Sequence, residues 1–126
     1  MKPKIHFLSA TTPKQKISLL TETAHKLFCE GKRIQIQAPS DEALRFLDDL
    51  LWSYKEESFL PHTIASSPTS EPIVLTKLAV NLNNADVLIH LLPTLPPLHF
   101  PEIYDLLDET TPEKKEAAEH KRARLA

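Results

Sequence analysis

The chain has 126 residues, of which 41% are hydrophobic and 25% are charged, and its formal net charge is −2. This length and composition fit one globular domain and exclude a chain that is disordered throughout. The slightly negative net charge excludes a protein that binds nucleic acid through an overall positive field. The single cysteine, Cys29, permits no internal disulfide. No apolar segment reaches the roughly 18 residues that a membrane helix needs. We therefore expect a soluble protein of the reducing cytoplasm that does not associate with membranes.

Glycine is almost absent from the chain, which contains Gly31 alone against eleven prolines. Glycine allows a backbone to approach a phosphate closely, so its scarcity argues against a nucleotide-binding loop. Residues 9–13, after the first predicted strand, lie where a doubly wound sheet usually binds its ligand. They contain no glycine, and Pro13 removes one amide donor. The sequence therefore predicts no nucleotide cofactor.

The first predicted elements are a strand and a long helix. Residues 4–8 form a short apolar run typical of a strand. Thr12 is a good N-cap, and Gln15 completes a capping box for a helix that we expect to run to Glu30. Gly31 follows where a left-handed cap is needed.

A second strand and helix follow directly. Residues 33–38 alternate between apolar and polar side chains, which predicts a strand. Ser40 caps a helix that we expect to end at Trp52, with its inner face formed by Leu44, Leu47 and Leu51. This strand–helix–strand–helix order is typical of a parallel α/β sheet with right-handed crossovers.

The second half of the chain predicts two more strands and two helices. Residues 73–75 and 87–92 are apolar runs typical of buried strands, and prolines crowd residues 93–101. We expect a short helix from Glu102 and a final helix capped by Thr111. The whole pattern predicts a single α/β domain over residues 1–126, with a mostly parallel, three-layer, Rossmann-like sheet covered by helices on both faces.

The sequence offers no persuasive catalytic or metal-binding group. Six histidines are scattered without the spacing of metal ligands. His6 and His90 lie in predicted strands, where we expect them to be hydrogen-bonded structural residues. Asp48 and Asp49 are interpreted as a solvated helix face rather than an acid/base pair. We therefore predict neither a catalytic residue nor a metal site.

Two large aromatic residues, Trp52 and Phe59, flank a charged turn. They could fix this turn to the core, or they could present an apolar patch to another protein, because Trp and Phe dominate the energetics of buried contacts. The sequence by itself leaves both interpretations open.

A second unusual feature is a basic cluster near the C-terminus. Cations near the end of a helix can simply complement its dipole. Alternatively, they could bind an acidic peptide, because arginine holds a carboxylate through two hydrogen bonds while neighbouring leucines accept an apolar side chain. The cluster comprises Lys114, Lys115, His120, Lys121, Arg122 and Arg124.

Residues 31–33 (Gly-Lys-Arg), Leu51-Trp52 and especially residues 57–62 (Glu-Ser-Phe-Leu-Pro-His) resemble the chi subunit of bacterial DNA polymerase III, an accessory of the clamp loader. The predicted order of elements fits that family over nearly the whole chain. The resemblance implies a Rossmann-like domain without a cofactor or an active site. It also implies a replication adaptor that links the acidic C-terminal tail of single-stranded DNA-binding protein to the psi subunit of the clamp loader or to a helicase. Strong direct binding of nucleic acid is not expected.

The resemblance also implies which residues serve each surface. The aromatic pair of the psi or helicase surface falls on Trp52 and Phe59, with Pro61 and His62 beside them. The best match for the basic residue that holds the tail is Arg122, and its implied neighbours are Lys115, Lys121 and Arg124. Lys121 stands where the family usually has an aromatic residue. The alternative function is a small nucleotide-binding or hydrolytic enzyme on the same fold, which would use residues 9–13.

Overall fold

The computed structural model describes residues 2–53 and 60–125. Its elements are β1 (Lys4–Ala10), α1 (Pro13–Cys29), β2 (Ile34–Gln37), α2 (Asp41–Ser53), β3 (His62–Ile64), β4 (Ile73–Thr76), β5 (Val87–His90), β6 (Glu102–Asp108) and α3 (Pro112–Leu125).

Helix α1 begins and ends on the signals that its sequence contains. The amide of Gln15 donates to Thr12 Oγ1 at 3.1 Å, while Gln15 Oε1 accepts from the amide of Thr11 at 2.8 Å. These two bonds satisfy donors that a helix start leaves free. Gly31 follows the helix with φ = +78°, a conformation that glycine adopts without strain. Both predicted ends of this helix are confirmed.

The strands form one six-stranded sheet in the order β1-β6-β5-β2-β4-β3, and every pairing is parallel. Helices α1 and α2 cover one face, where their leucines pack on Ile34, Ile36 and Ile89 in a single core cluster. Helix α3 lies on the other face and contacts β6. The result is the predicted three-layer, Rossmann-like fold.

The loop between β4 and β5 covers part of the α3 face through one buried glutamine. Gln35 Nε2 donates to the carbonyl oxygens of Leu78 and Val80 at 3.2 and 2.9 Å, and Gln35 Oε1 accepts from the amide of Leu82 at 2.8 Å. A polar side chain inside the sheet is thus fully used in holding a loop, as a buried amide requires.

Residues 31–33, which carry part of the family resemblance, support the fold. After Gly31, the Lys32 ammonium lies 3.2 Å from Glu102 Oε1. The Arg33 guanidinium donates to the carbonyl oxygens of Asn83 and Ser70 at 2.8 and 2.6 Å. Arg33 therefore joins the start of β2 to the loops on both sides of β4.

The sequence interpretation is wrong in two places. The short helix expected from Glu102 is strand β6, which pairs with β1 on one side and β5 on the other. Ile103, Leu106 and Leu107 have helical spacing, but a strand buried on both faces also requires apolar residues at these positions. The three-residue strand β3 was not predicted as a strand. Among the described residues, no helix has the length and apolarity needed to cross a membrane.

Candidate interaction surfaces

Trp52 lies in the last turn of α2, and 52% of its surface is exposed. The inward face of the same helix is formed by Leu44, Leu47 and Leu51, as predicted. Trp52 is therefore not a core residue. Its indole packs against the imidazole of His62, with 4.4 Å between ring centroids and 46° between the ring planes. Phe59 and the charged turn lie outside the described residues.

His62 occupies a different position from the one that the sequence suggested. Its side chain is 0% exposed, so it lies beneath Trp52 instead of beside it on the surface. Its Nδ1 lies 2.6 Å from the carbonyl oxygen of Leu60, and its Nε2 lies 3.0 Å from Asp48 Oδ1. Pro61 is partly buried. Asp48, predicted to belong to a solvated face, keeps 34% of its side chain exposed and also contacts His62.

Arg122 lies on the exposed side of α3, close to edge strand β1. Its guanidinium carbon is 5.7 Å from the centroid of the Phe7 ring, and its Nη2 donates to Ser9 Oγ at 3.4 Å. Lys115 and Arg124 are also exposed on α3. Arg122 and the face of Phe7 thus lie together between α3 and β1, and an arginine held in this way can bind a carboxylate.

Lys121, by contrast, is buried and has a structural role. Its ammonium donates to Asp105 Oδ1 at 2.9 Å and to the carbonyl oxygens of Leu92 and Leu106 at 2.7 and 3.1 Å. These three bonds use all three donors of the ammonium. His90 Nδ1 lies 2.9 Å from the same Asp105 oxygen, so the expected structural role of His90 is confirmed. The sequence signal for this network was Asp105, a charged residue between apolar ones.

A cleft of about 320 Å³ opens between α1 and α3 at the carboxyl ends of β5 and β6. Most of its wall is apolar, and Lys16 and Lys114 stand at its rim. Both ammonium groups face Asp108 Oδ2, at 2.9 and 3.6 Å respectively. Two cations therefore share the Asp108 carboxylate, and the carboxylate of Glu113 also lines the cleft. The apolar wall is formed mainly by Pro39, Leu91, Leu92, Leu106, Ala117 and Ala118.

The carboxyl group of Asp108 has a strongly perturbed pKa. Partial burial disfavours its charged form and would raise the pKa. Hydrogen bonds from the hydroxyl and amide of Thr110, at 2.6 and 3.0 Å, and from the Lys16 ammonium outweigh burial and lower the pKa to about 2. Asp108 therefore stays ionised near neutral pH and holds the two lysines in place.

Two backbone amides in and just after the loop that would serve a nucleotide-binding enzyme are already engaged. The Thr11 amide donates to Gln15 Oε1, and the Gln15 amide donates to Thr12 Oγ1. The start of α1 thus satisfies its own amides with its own side chains, whereas a phosphate site needs them directed at the ligand. This contact pattern speaks against the alternative function expected for residues 9–13.

Comparison with known proteins bears on these surfaces. The sequence profile of the family described as DNA polymerase III chi subunit, HolC, matches residues 2–124. The chain belongs to the DNA polymerase III chi subunit family. A similar protein is the DNA polymerase III subunit chi of Pseudomonas aeruginosa, which is 29% identical over 87 residues. That match covers 68% of this chain and 61% of the relative, so the chain spans less than two thirds of the relative's length. The chi family is a component of the replication machinery, and the resemblance predicted from the sequence is confirmed.

Proposed function

We propose that this chain is a non-catalytic adaptor of the replication machinery. One surface, around Trp52, binds the psi subunit of the clamp loader or a helicase. The other, along α3, binds the acidic C-terminal tail of single-stranded DNA-binding protein. The single observation that carries the proposal is a tryptophan held 52% exposed on a chain of the chi family.

The Trp52 surface has the character of a binding hot spot. Tryptophan is the residue most enriched among those that dominate binding energy, because its large ring removes much apolar area from water when a partner covers it. Here one face of the indole is already packed on His62, so the ring is held in place before binding. Pro61 and Phe59 belong to the proposed set by their place in the family motif.

The test of this surface is capture of purified psi subunit by the wild type and by Trp52→Ala. We expect capture to weaken at least tenfold, about 1.4 kcal/mol, while the free energy of unfolding changes by less than about 1 kcal/mol. Leu98→Ala is a matched control, because Leu98 is 53% exposed in the loop between β5 and β6. A Trp52→Ala protein that melts many degrees lower but still captures psi would show that Trp52 serves folding instead.

The α3 surface suits a tail that is rich in carboxylates and ends in an apolar residue. Arg122, Lys115 and Arg124 offer exposed cations, and the neighbouring cleft offers an apolar wall with Lys114 at its rim. Lys121 is left out of this set, because its ammonium is fully used inside the protein. Since the contacts would be largely ionic and exposed, we expect salt-sensitive binding in the micromolar range, roughly −8 kcal/mol.

A peptide that copies the acidic tail can be titrated against the wild type and two charge reversals. Arg122→Glu should weaken binding at least tenfold, and the remaining affinity should depend less on salt. Lys26→Glu makes the same charge change on an exposed residue of α1, and it should leave binding nearly unchanged. Equal losses in the two variants would mean that only net charge matters, and Arg122 would leave the proposed site.

A further inference from the structure

The imidazole of His62 is enclosed between α2 and β3, and oxygen atoms lie within hydrogen-bond distance of both ring nitrogens. Nδ1 lies 2.6 Å from the carbonyl oxygen of Leu60. Nε2 lies 3.0 Å from Asp48 Oδ1 and 3.2 Å from the Asp48 carbonyl oxygen. Contacts at both ring nitrogens thus fix the orientation of the imidazole.

The surroundings of the ring contain one titratable partner among the described residues. From α2, the group that faces His62 is Asp48, whose side chain is 34% exposed. From β4, the residue in register with His62 is Ile73, which is apolar and buried. The indole of Trp52 packs against the ring. The orientation of the His62 ring is thus tied to Asp48 and to Trp52.

Helix geometry explains why these three residues meet. Asp48 and Trp52 are four residues apart on α2, so they lie on the same stripe of the helix. His62 reaches this stripe from the first residue of β3 and contacts both side chains. The ring therefore joins the last turn of α2 to the sheet at the point where Trp52 projects.

We propose that His62 is a positioning residue for Trp52: the imidazole, held by Asp48 and the Leu60 carbonyl, is the platform that fixes the orientation in which the indole meets a protein partner. This inference rests on the proposed function of the Trp52 surface. It moves His62 from the binding surface to the layer beneath it. Fixing a large side chain before association removes part of the entropic cost of binding, so the platform strengthens binding without touching the partner.

The only tryptophan of the chain provides a direct readout, because its emission reports on Trp52 alone. An exposed side chain that is free to change rotamer does so within picoseconds to nanoseconds, which adds a fast component to the decay of its fluorescence anisotropy. We expect the wild-type decay to lack a large fast component, because the His62 ring holds the indole. The fast component should grow clearly in His62→Gln and less in Asp48→Asn, which removes one of the contacts that hold the imidazole. His25→Gln, on α1, is the control and should keep the wild-type decay.

The folded state of each variant is checked by circular dichroism, and Asp48→Asn serves if His62→Gln does not fold, since Asp48 is only partly buried. A large fast component in the wild-type anisotropy decay would overturn the proposal. So would a decay in His62→Gln, or in Asp48→Asn where it replaces that variant, that is the same as in the wild type.

Capture of the psi subunit separates this inference from the proposed function. We expect His62→Gln to weaken capture about three- to tenfold, and to cause no further loss when Trp52 is already alanine. If Trp52→Ala leaves capture intact while the anisotropy decay of Trp52 depends on His62, the proposed function fails and the positioning role stands. If Trp52→Ala abolishes capture while His62→Gln changes neither the anisotropy decay nor capture, the positioning role fails and the proposed function stands.

Discussion

Asp108 couples two helices to the sheet through one carboxylate. Its pKa is lowered from 3.8 to about 2, so folding favours the charged form. The stability that it contributes is therefore complete above about pH 4 and is lost as the pH falls through the folded pKa. We expect Asp108→Asn to be less stable by about 1 kcal/mol near neutral pH, a value reduced from the full shift because the carboxylate retains solvent contact.

Urea unfolding as a function of pH tests the role of Asp108. The difference between wild type and Asp108→Asn should shrink steadily below about pH 4. Glu109→Gln removes the adjacent negative charge and is the control for the change in net charge. A difference that stays constant down to the lowest pH at which the wild type is folded would show that the substitution disturbs packing instead of charge.

The charge of Lys121 suggests a solvent-exposed side chain, but this side chain is buried. Removing one member of a buried ion pair leaves the other charge uncompensated, which costs about 3–5 kcal/mol. We therefore expect Lys121→Met to destabilise the protein by that amount in urea unfolding, while Lys115→Met, on the exposed side of the same helix, stays within about 0.5 kcal/mol. Adding Asp105→Asn to Lys121→Met should recover part of the loss. Equal stabilities of the two lysine variants would refute the buried role.

The position of Lys121 could not be predicted from the sequence, for a physical reason. In an amphipathic helix, a stripe of apolar residues identifies the face that packs on the core. In α3 the buried residues are Ala118 and Lys121, so no such stripe exists. Without it, the sequence cannot tell which lysine faces inward, and Lys121 was grouped with Arg122 although the two residues point in different directions.

At the scale of elements, the sequence was sufficient where local signals determine the structure. Helices α1 and α2 have caps and apolar stripes of their own, and both were located within a few residues. Strand β6 depends on pairing with β1 and β5, which lie far away in the sequence, so its apolar spacing fitted two structures equally well. Strand β3 has only three residues, too few for a pattern. Both β3 and β6 are defined by hydrogen bonds to other strands and not by a local sequence signal.

The junction between α1 and β2 depends on one glycine whose role can be measured. Gly31 has φ = +78°, and a Cβ atom built there would meet nothing within 4 Å. A substitution therefore costs backbone strain without a steric clash. We expect Gly31→Ala to destabilise the protein by about 1 kcal/mol, and Gly31→Asn by less, because asparagine tolerates the left-handed region better. Thermal unfolding in which alanine and asparagine are equally costly would contradict this assignment.

Across the whole molecule, the two proposed surfaces are attached to strands that differ in the number of neighbouring strands they pair with. Strand β3 is an edge strand of three residues paired with β4 alone, and it carries His62 beneath Trp52. The α3 surface is fixed through Lys121 and Asp105 to β6, which has neighbours on both sides. Local opening should therefore release the Trp52 surface far more often than the α3 surface.

Amide hydrogen exchange can measure this difference in support. We expect the buried amides of β2 and β5 to exchange through global unfolding, and the amides of β3 to exchange at least about a hundredfold faster. Binding of the psi subunit should slow exchange in β3 strongly, because it holds Trp52 against His62, while binding of the acidic tail peptide should leave β3 unchanged. The α3 amides provide the internal control, since they should respond to the peptide. If β3 is as protected as β5 in the free protein, the Trp52 surface is rigid before any partner arrives, and binding there cannot be regulated by opening of the sheet edge.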